Sequence, residues 1–187
     1  MRRRGFARVP VLVLALLCAS SAQAFELNSP SLPPGATFSP AAVFHGFGCS
    51  GANLSPALAW RDVPPGTRSF ALSLFDRDAP TGSGWWHWVV VDLPPSTRAL
   101  PSGVGRIGRP ALPAPAIQIR NDFGSRAYGG PCPPLGDPPH RYVFTLYALK
   151  TARLPLPSGA SAAMAGFFIH ANAIGATQLV VRYGRSR

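Results

Sequence analysis

Thr67-Arg68-Ser69-Phe70-Ala71-Leu72-Ser73-Leu74-Phe75 alternates as a β-strand does, with Phe70, Leu72 and Leu74 on one face and Ser69, Ala71 and Ser73 on the other. A second stretch follows after Pro80-Thr81-Gly82-Ser83-Gly84, a run that turns the chain. Apart from His87 and Asp92, Trp86 to Leu93 is an apolar run, as suits a strand buried on both faces. Tyr142 to Leu149 is another run of β-forming residues, while Ala57–Trp60, Ala116–Ile119 and Leu179–Tyr183 are shorter candidates.

Turn signals separate these runs, among them Val63-Pro64-Pro65-Gly66, Leu93-Pro94-Pro95-Ser96 and Gly129-Gly130-Pro131. Two Ala-rich stretches, around Ser161–Ala165 and Ala171–Gln178, read as helical. Strands with no long helix between them predict an all-β protein, an antiparallel β-sandwich with short C-terminal helical segments. Residues 96–115 form the longest Pro/Gly-rich connection and read as an ordered surface loop. With 22 prolines and 19 glycines but 47% hydrophobic residues, the composition excludes a disordered chain.

The N-terminal end reads as an export signal. Arg2, Arg3, Arg4 and Arg8 precede the apolar run Val9–Leu17, and Ala22-Gln23-Ala24 offers a small-residue cleavage site before Phe25. The apolar run is about half of the roughly 20 residues that a spanning helix needs. Lipoprotein processing at Cys18 would want a small residue before it, and Leu17 is not small. Arg3-Arg4 only faintly matches a twin-arginine signal, so the ordinary secretory route is expected. Residues 1–24 are thus expected to be a signal peptide and residues 25–187 one domain, periplasmic or secreted, without stable membrane insertion.

Cleavage would remove four of the 18 basic residues and none of the seven acids, leaving a net charge of +7. The remaining arginines are scattered singly with no aromatic-interleaved basic run, which argues against nucleic acid as a partner. Cys18 would also be lost, leaving Cys49 and Cys132 as an even pair in an oxidising compartment. They are disulfide candidates; two buried thiols that never meet are the alternative.

Two patterns are decoys. Gly103-Val104-Gly105-Arg106-Ile107-Gly108 matches a dinucleotide-binding turn, but Pro110, Pro113 and Pro115 leave no room for the helix that must follow. Asp122-Phe123-Gly124 and His140-Arg141 match kinase triplets in the wrong order, so residues 121–124 read as a turn after a strand.

Chemistry concentrates in three segments: Asp76-Arg77-Asp78-Ala79-Pro80, Trp85-Trp86-His87-Trp88, and Tyr128-Gly129-Gly130-Pro131-Cys132 followed by His140-Arg141-Tyr142. Residues two apart on a strand share a face, so Asp76 and Asp78 are expected to converge while Arg77 points away. A histidine in an apolar aromatic run is often a satisfied core residue. The glycines are expected to expose N–H groups, with Gly129 and Gly130 forming an anion-binding nest.

Together these segments, with Gly46-Phe47-Gly48-Cys49 and Asn53-Leu54-Ser55-Pro56, resemble the phosphatidylethanolamine-binding protein family, in particular its bacterial, Raf-kinase-inhibitor-like branch. The resemblance runs through nearly the whole mature chain and implies an antiparallel β-sandwich with a small anion pocket near one end. Carried over by position, the ligand-binding residues are Asp76, His87, Gly130, Pro131, His140 and Tyr142. Asp78, Pro80, Tyr128 and Gly129 are expected to shape the pocket. Arg77 departs from the family pattern, which usually has Pro between the two aspartates.

The expected function is that of an exported binding protein for a phosphate-type anion or a phospholipid headgroup, with no cofactor, no metal and no catalytic residue. The alternatives are a surface-mediated inhibitor of a kinase or protease, and a weak hydrolase. Metal binding is disfavoured because no close ligand spacing such as His-x-x-x-His occurs. A histidine near its ordinary pKa of about 6.5 can carry the positive charge or donate to phosphate, which predicts tighter binding at mildly acidic pH. An ionised Asp76 would repel phosphate unless a proton lies between them, or unless it orients a histidine or accepts from a ligand ammonium group.

Overall fold

The computed structural model describes residues 23–33, 35–106 and 112–186, so the expected signal segment lies outside the described residues except for its last two positions. Ile107, Gly108 and Pro110 of the glycine-rich decoy also lie outside them. The chain runs through β1 (Glu26–Asn28), β2 (His45–Gly46), β3 (Cys49–Ser50), β4 (Leu58–Arg61), β5 (Ser69–Asp76) and β6 (Trp85–Leu93). It continues through β7 (Ala99–Leu100), β8 (Ile117–Gln118), β9 (His140–Leu149), α1 (Ala162–Asn172) and β10 (Ala173–Tyr183).

The strand with the clearest alternation, β5, is central. It pairs with β6 on one side and β9 on the other, in an antiparallel sheet of order β10-β9-β5-β6-β8. Phe70, Leu72 and Leu74 are fully buried, and each contributes about 2 kcal/mol through removal from water. They meet Leu27, Leu58, Trp60 and Leu100 of the smaller sheet β1-β4-β7, which closes the sandwich. The opposite face of the large sheet is buried too. Ala71, Val89, Val91 and Leu149 pack there against Ala162, Ala165 and Ile169 of α1. Burial on both faces explains why β6 is apolar without alternation.

Three expectations need correction. The stretch 171–178 is not a second helix: Ala171 and Asn172 end α1, and β10 pairs with β9 from Ala173 to Tyr183. Alanine and glycine there carry no strong strand preference, but β-branched Ile174, Thr177, Val180 and Val181 suit the free edge that β9 offers. The other helical expectation is too short, since α1 begins after Ser161, whose hydroxyl accepts from the Met164 N–H at 3.1 Å. The connection 96–115 is also not wholly loop, because Ala99 and Leu100 pair with β4.

Candidate functional site

The site forms where β5 ends and β6 and β9 begin. Asp76 pairs across the sheet with Trp85 on one side and Tyr142 on the other. A β-bulge then brings in His87. Leu74 pairs with Trp88 and Phe75 with Trp86, so His87 is the extra residue between them. A bulge re-aims its side chain. Trp86 packs towards α1 and Trp88 into the sandwich, and the His87 ring turns edge-on to Tyr142 and Phe123, with centroids 5.2 Å from each.

The result is a cavity of about 160 Å³ whose wall includes Asp76, Pro80, Trp85, His87, His140 and Tyr142. Drug-sized pockets run to roughly 300–1,000 Å³, so this one suits a small group. Asp76, His87 and His140 are each nearly inaccessible, at 3%, 3% and 4% exposure. Asp76 accepts from the Asp78 N–H at 2.9 Å, and its second oxygen lies 2.8 Å from His140 Nδ1. Among the described residues, the Tyr142 hydroxyl and the Trp85 indole N–H are buried with no hydrogen-bond partner. Burial, and after it the nearby Asp76 carboxylate, push the Tyr142 hydroxyl well above the usual phenol range, so it stays a proton donor.

His87 is held from behind. Its Nδ1 faces the carbonyl oxygens of Gly129 at 2.8 Å and Gly130 at 3.1 Å. Two acceptors on one ring nitrogen make Nδ1 the protonated position. Desolvation by burial lowers the His87 pKa to about 4, against the upward pull of those carbonyls and of Asp76. His87 is therefore neutral at neutral pH in the unliganded protein. Of the two roles open to a histidine here, carrying the charge or hydrogen-bonding the ligand, the unliganded His87 is set for the second.

The glycine loop is corrected as well. The Gly129 N–H donates to the His87 carbonyl at 2.9 Å, and the Gly130 N–H to Asn53 Oδ1 at 2.7 Å, so neither donor is free to form a nest. Gly129 and Gly130 are glycine for clearance. A Cβ on Gly130 would lie 2.0 Å from the Ala42 carbonyl oxygen, and one on Gly129 would lie 2.4 Å from the Phe123 ring. Gly130 and Pro131 thus stand behind His87 rather than on the cavity wall. The Pro131 carbonyl accepts from the Phe44 N–H at 3.2 Å.

The expected shaping residues divide. Pro80 is on the wall. Asp78 turns outward, accepting from the Arg141 N–H at 2.7 Å and from its guanidinium at 2.9 Å, so the two aspartate side chains do not converge. That guanidinium holds the Asp78 carboxyl well below the usual carboxylate range. Tyr128 is a core residue whose hydroxyl donates to the Ala42 carbonyl at 3.0 Å. It borders a separate groove of about 620 Å³ on the other side of Phe123. Volume does not decide between the two spaces; the buried, hydrogen-bonded polar groups lie at the smaller one.

Cys49 and Cys132 are joined, with sulfurs 2.06 Å apart, which ties the β2–β3 hairpin to the cavity wall. Sequence reasoning left out Phe47, Trp85, Phe123, Pro133 and Pro134, all of which line the cavity. Trp85 had a readable signal, standing two residues before His87 in the same aromatic run. Among the described residues, no three His, Cys, Asp or Glu side chains form a cluster able to hold a metal ion.

The β-sandwich thus carries a small pocket of buried polar side chains at one end of its larger sheet. The chain belongs to the phosphatidylethanolamine-binding protein family, whose model matches residues 28–184. It is 46% identical to UPF0098 protein YbcL of Escherichia coli over 91% of this chain and 94% of that one. It is 50% identical to UPF0098 protein YbhB of the same organism, over 75% and 88%. A relative from Mycobacterium tuberculosis with the lipoprotein name LppC is 38% identical over 72% and 62%. The crystal structure of E. coli YbcL, described as a member of the mammalian family, superposes with a TM-score of 0.84 over 87% of this chain and 99% of that one. The homologue CT736 from Chlamydia trachomatis, 28% identical, gives 0.71 over 87% and 98%.

Proposed function

We propose that the protein is an exported binding protein that holds a small phosphate-type anion, free or as part of a phosphorylated headgroup, in the cavity at the ends of β5, β6 and β9. The observation that carries this reading is the pair of buried donors, Tyr142 O–H and Trp85 N–H, which have no hydrogen-bond partner among the described residues, in a cavity that also presents His87 and His140. An unsatisfied buried donor costs about 1–3 kcal/mol, and a bound oxyanion relieves that cost. Binding without turnover is favoured because Cys132 is in a disulfide and offers no thiolate nucleophile.

Export is supported by the N-terminal pattern, by a disulfide that needs an oxidising compartment, and by the lipoprotein name of one relative. Two measurements test the reading. Calorimetry with phosphoethanolamine should give saturable binding that Tyr142→Phe weakens about tenfold, the cost of one hydrogen bond. Mass spectrometry of the protein recovered from the cell envelope or medium should find a chain starting at Phe25. No heat in the first, or a cytoplasmic full-length chain in the second, overturns the corresponding half.

A further inference from the structure

The cavity offers an anion an unusual set of partners. Among the described residues, no Lys or Arg is on its wall, although the chain is strongly basic. His87 reaches the cavity with Nε2, because Nδ1 is fixed against Gly129 and Gly130. In the neutral ring Nε2 is a lone pair, an acceptor rather than a donor. A fully deprotonated oxygen placed against it meets repulsion, whereas an oxygen carrying hydrogen makes a hydrogen bond. Asp76 adds negative charge from β5, and Asp122 adds more from the turn after β8. From β9 and the loop before it, the groups near the ring are Tyr142, which stays neutral, and His140, which lies between Asp76 at 2.8 Å and Asp137 at 3.4 Å.

Resting on the anion-binding reading above, we propose that the cavity accepts an oxyanion only together with a proton shared with His87 Nε2, and so selects phosphate and phosphomonoesters over sulfate and phosphodiesters. A phosphomonoester has its second pKa at about 6 and brings the proton itself near neutrality. Sulfate and diesters have none to bring, and His87 must then take one from solvent. Burial disfavours that step, since the unliganded ring holds its second proton only below about pH 4. The bound state therefore has one proton between a ligand oxygen and Nε2, with the Tyr142 and Trp85 donors on the other oxygens. An intact phospholipid headgroup is a diester and falls on the disfavoured side.

The test is isothermal titration calorimetry of the mature protein with four probes: inorganic phosphate, phosphoethanolamine, glycerophosphoethanolamine and sulfate. Repeating each titration in buffers of different ionisation enthalpy counts protons. At about pH 6.5, phosphate and phosphoethanolamine are expected to bind at least about tenfold more tightly than sulfate and glycerophosphoethanolamine. At about pH 8, phosphoethanolamine is expected to take up close to one proton on binding. Equal affinity across the four probes, or no proton uptake at the higher pH, overturns the proposal but leaves anion binding standing. Binding of the diester alone overturns it in favour of a lipid headgroup. Absence of binding by all four removes the anion-binding reading itself.

Discussion

Asp76 and His140 are 64 residues apart in the chain, yet Asp76 Oδ2 and His140 Nδ1 lie 2.8 Å apart at the adjoining ends of two strands. Sheet register produces the contact. Tyr142 is directly opposite Asp76, and His140 is two residues beyond it on the same face. A diagonal pair of this kind is within side-chain reach. The Asp78 N–H holds the other carboxylate oxygen, so the loop after β5 and the start of β9 are fastened through one side chain.

Asp76→Ala should therefore be structurally expensive. It leaves the Asp78 N–H and His140 Nδ1 without their acceptor, at about 1–3 kcal/mol for each buried group. A loss of about 3 kcal/mol corresponds to a fall in Tm of roughly 6–12 °C in a domain of this size. Differential scanning calorimetry measures it. A fall of less than about 2 °C shows that the pair does not fasten the strands.

Acid should weaken the fold through His87. Its pKa is lowered to about 4 in the folded protein, against an ordinary 6.5. Between those values the unfolded chain binds more protons, so stability rises with pH. The contribution is complete above about pH 6.5 and is lost as pH falls towards 4, a change of roughly 3 kcal/mol. Urea titrations of the wild type and of His87→Gln, whose amide still donates to the two carbonyls, check this. The wild type should lose more stability on acidification than the variant, and parallel curves contradict the assignment.

The centre of this fold is readable because its residues agree across levels. Alternation in β5 and the apolar run of β6 both follow from burial, which the side chains themselves record. Asp76, His87, His140 and Tyr142 are likewise findable, since polar residues at the ends of apolar strands stand out. The bulge at His87 is not findable, because it depends on a register set by β5. The first half of β10 is missed for a related reason, although its end, Leu179–Tyr183, is readable as strand. No Gly or Pro separates α1 from it, and only pairing with β9 turns an Ala-rich stretch into strand. The Gly129–Gly130 loop shows the limit for glycines: the sequence marks a special position but not whether it frees a donor or admits a neighbour.

That distinction has a direct test in two glycines. Gly130→Ala puts a Cβ 2.0 Å from the Ala42 carbonyl oxygen, and backbone on both sides must shift. Overpacking of this kind costs about 3 kcal/mol. Gly82→Ala meets nothing within 4 Å but has φ +77°, a left-handed conformation that costs a side chain about 1–2 kcal/mol. Denaturant midpoints should rank Gly130→Ala well below Gly82→Ala. The reverse order shows that the loop at 130 can move aside.

Reduction should act on the cavity as well as on stability. The Cys49–Cys132 bond closes a loop with a sequence separation of 83 residues, and Cys132 lies on the cavity wall beside Phe47 of the β2–β3 hairpin. The chain-entropy estimate for a loop of that length is about 4.5 kcal/mol. The paired variant Cys49→Ala with Cys132→Ala should therefore unfold at a clearly lower guanidinium concentration than the oxidised protein. Dithiothreitol should bring the wild type to nearly the same midpoint. The hairpin has only two residues in each strand, so without the bond Phe47 loses its main covalent anchor to the wall. Phosphoethanolamine affinity should fall with it, even at temperatures where the variant stays folded. Unchanged affinity in a folded variant shows that the wall keeps its shape through the Phe44–Phe123 stack, whose centroids are 4.1 Å apart, rather than through the disulfide.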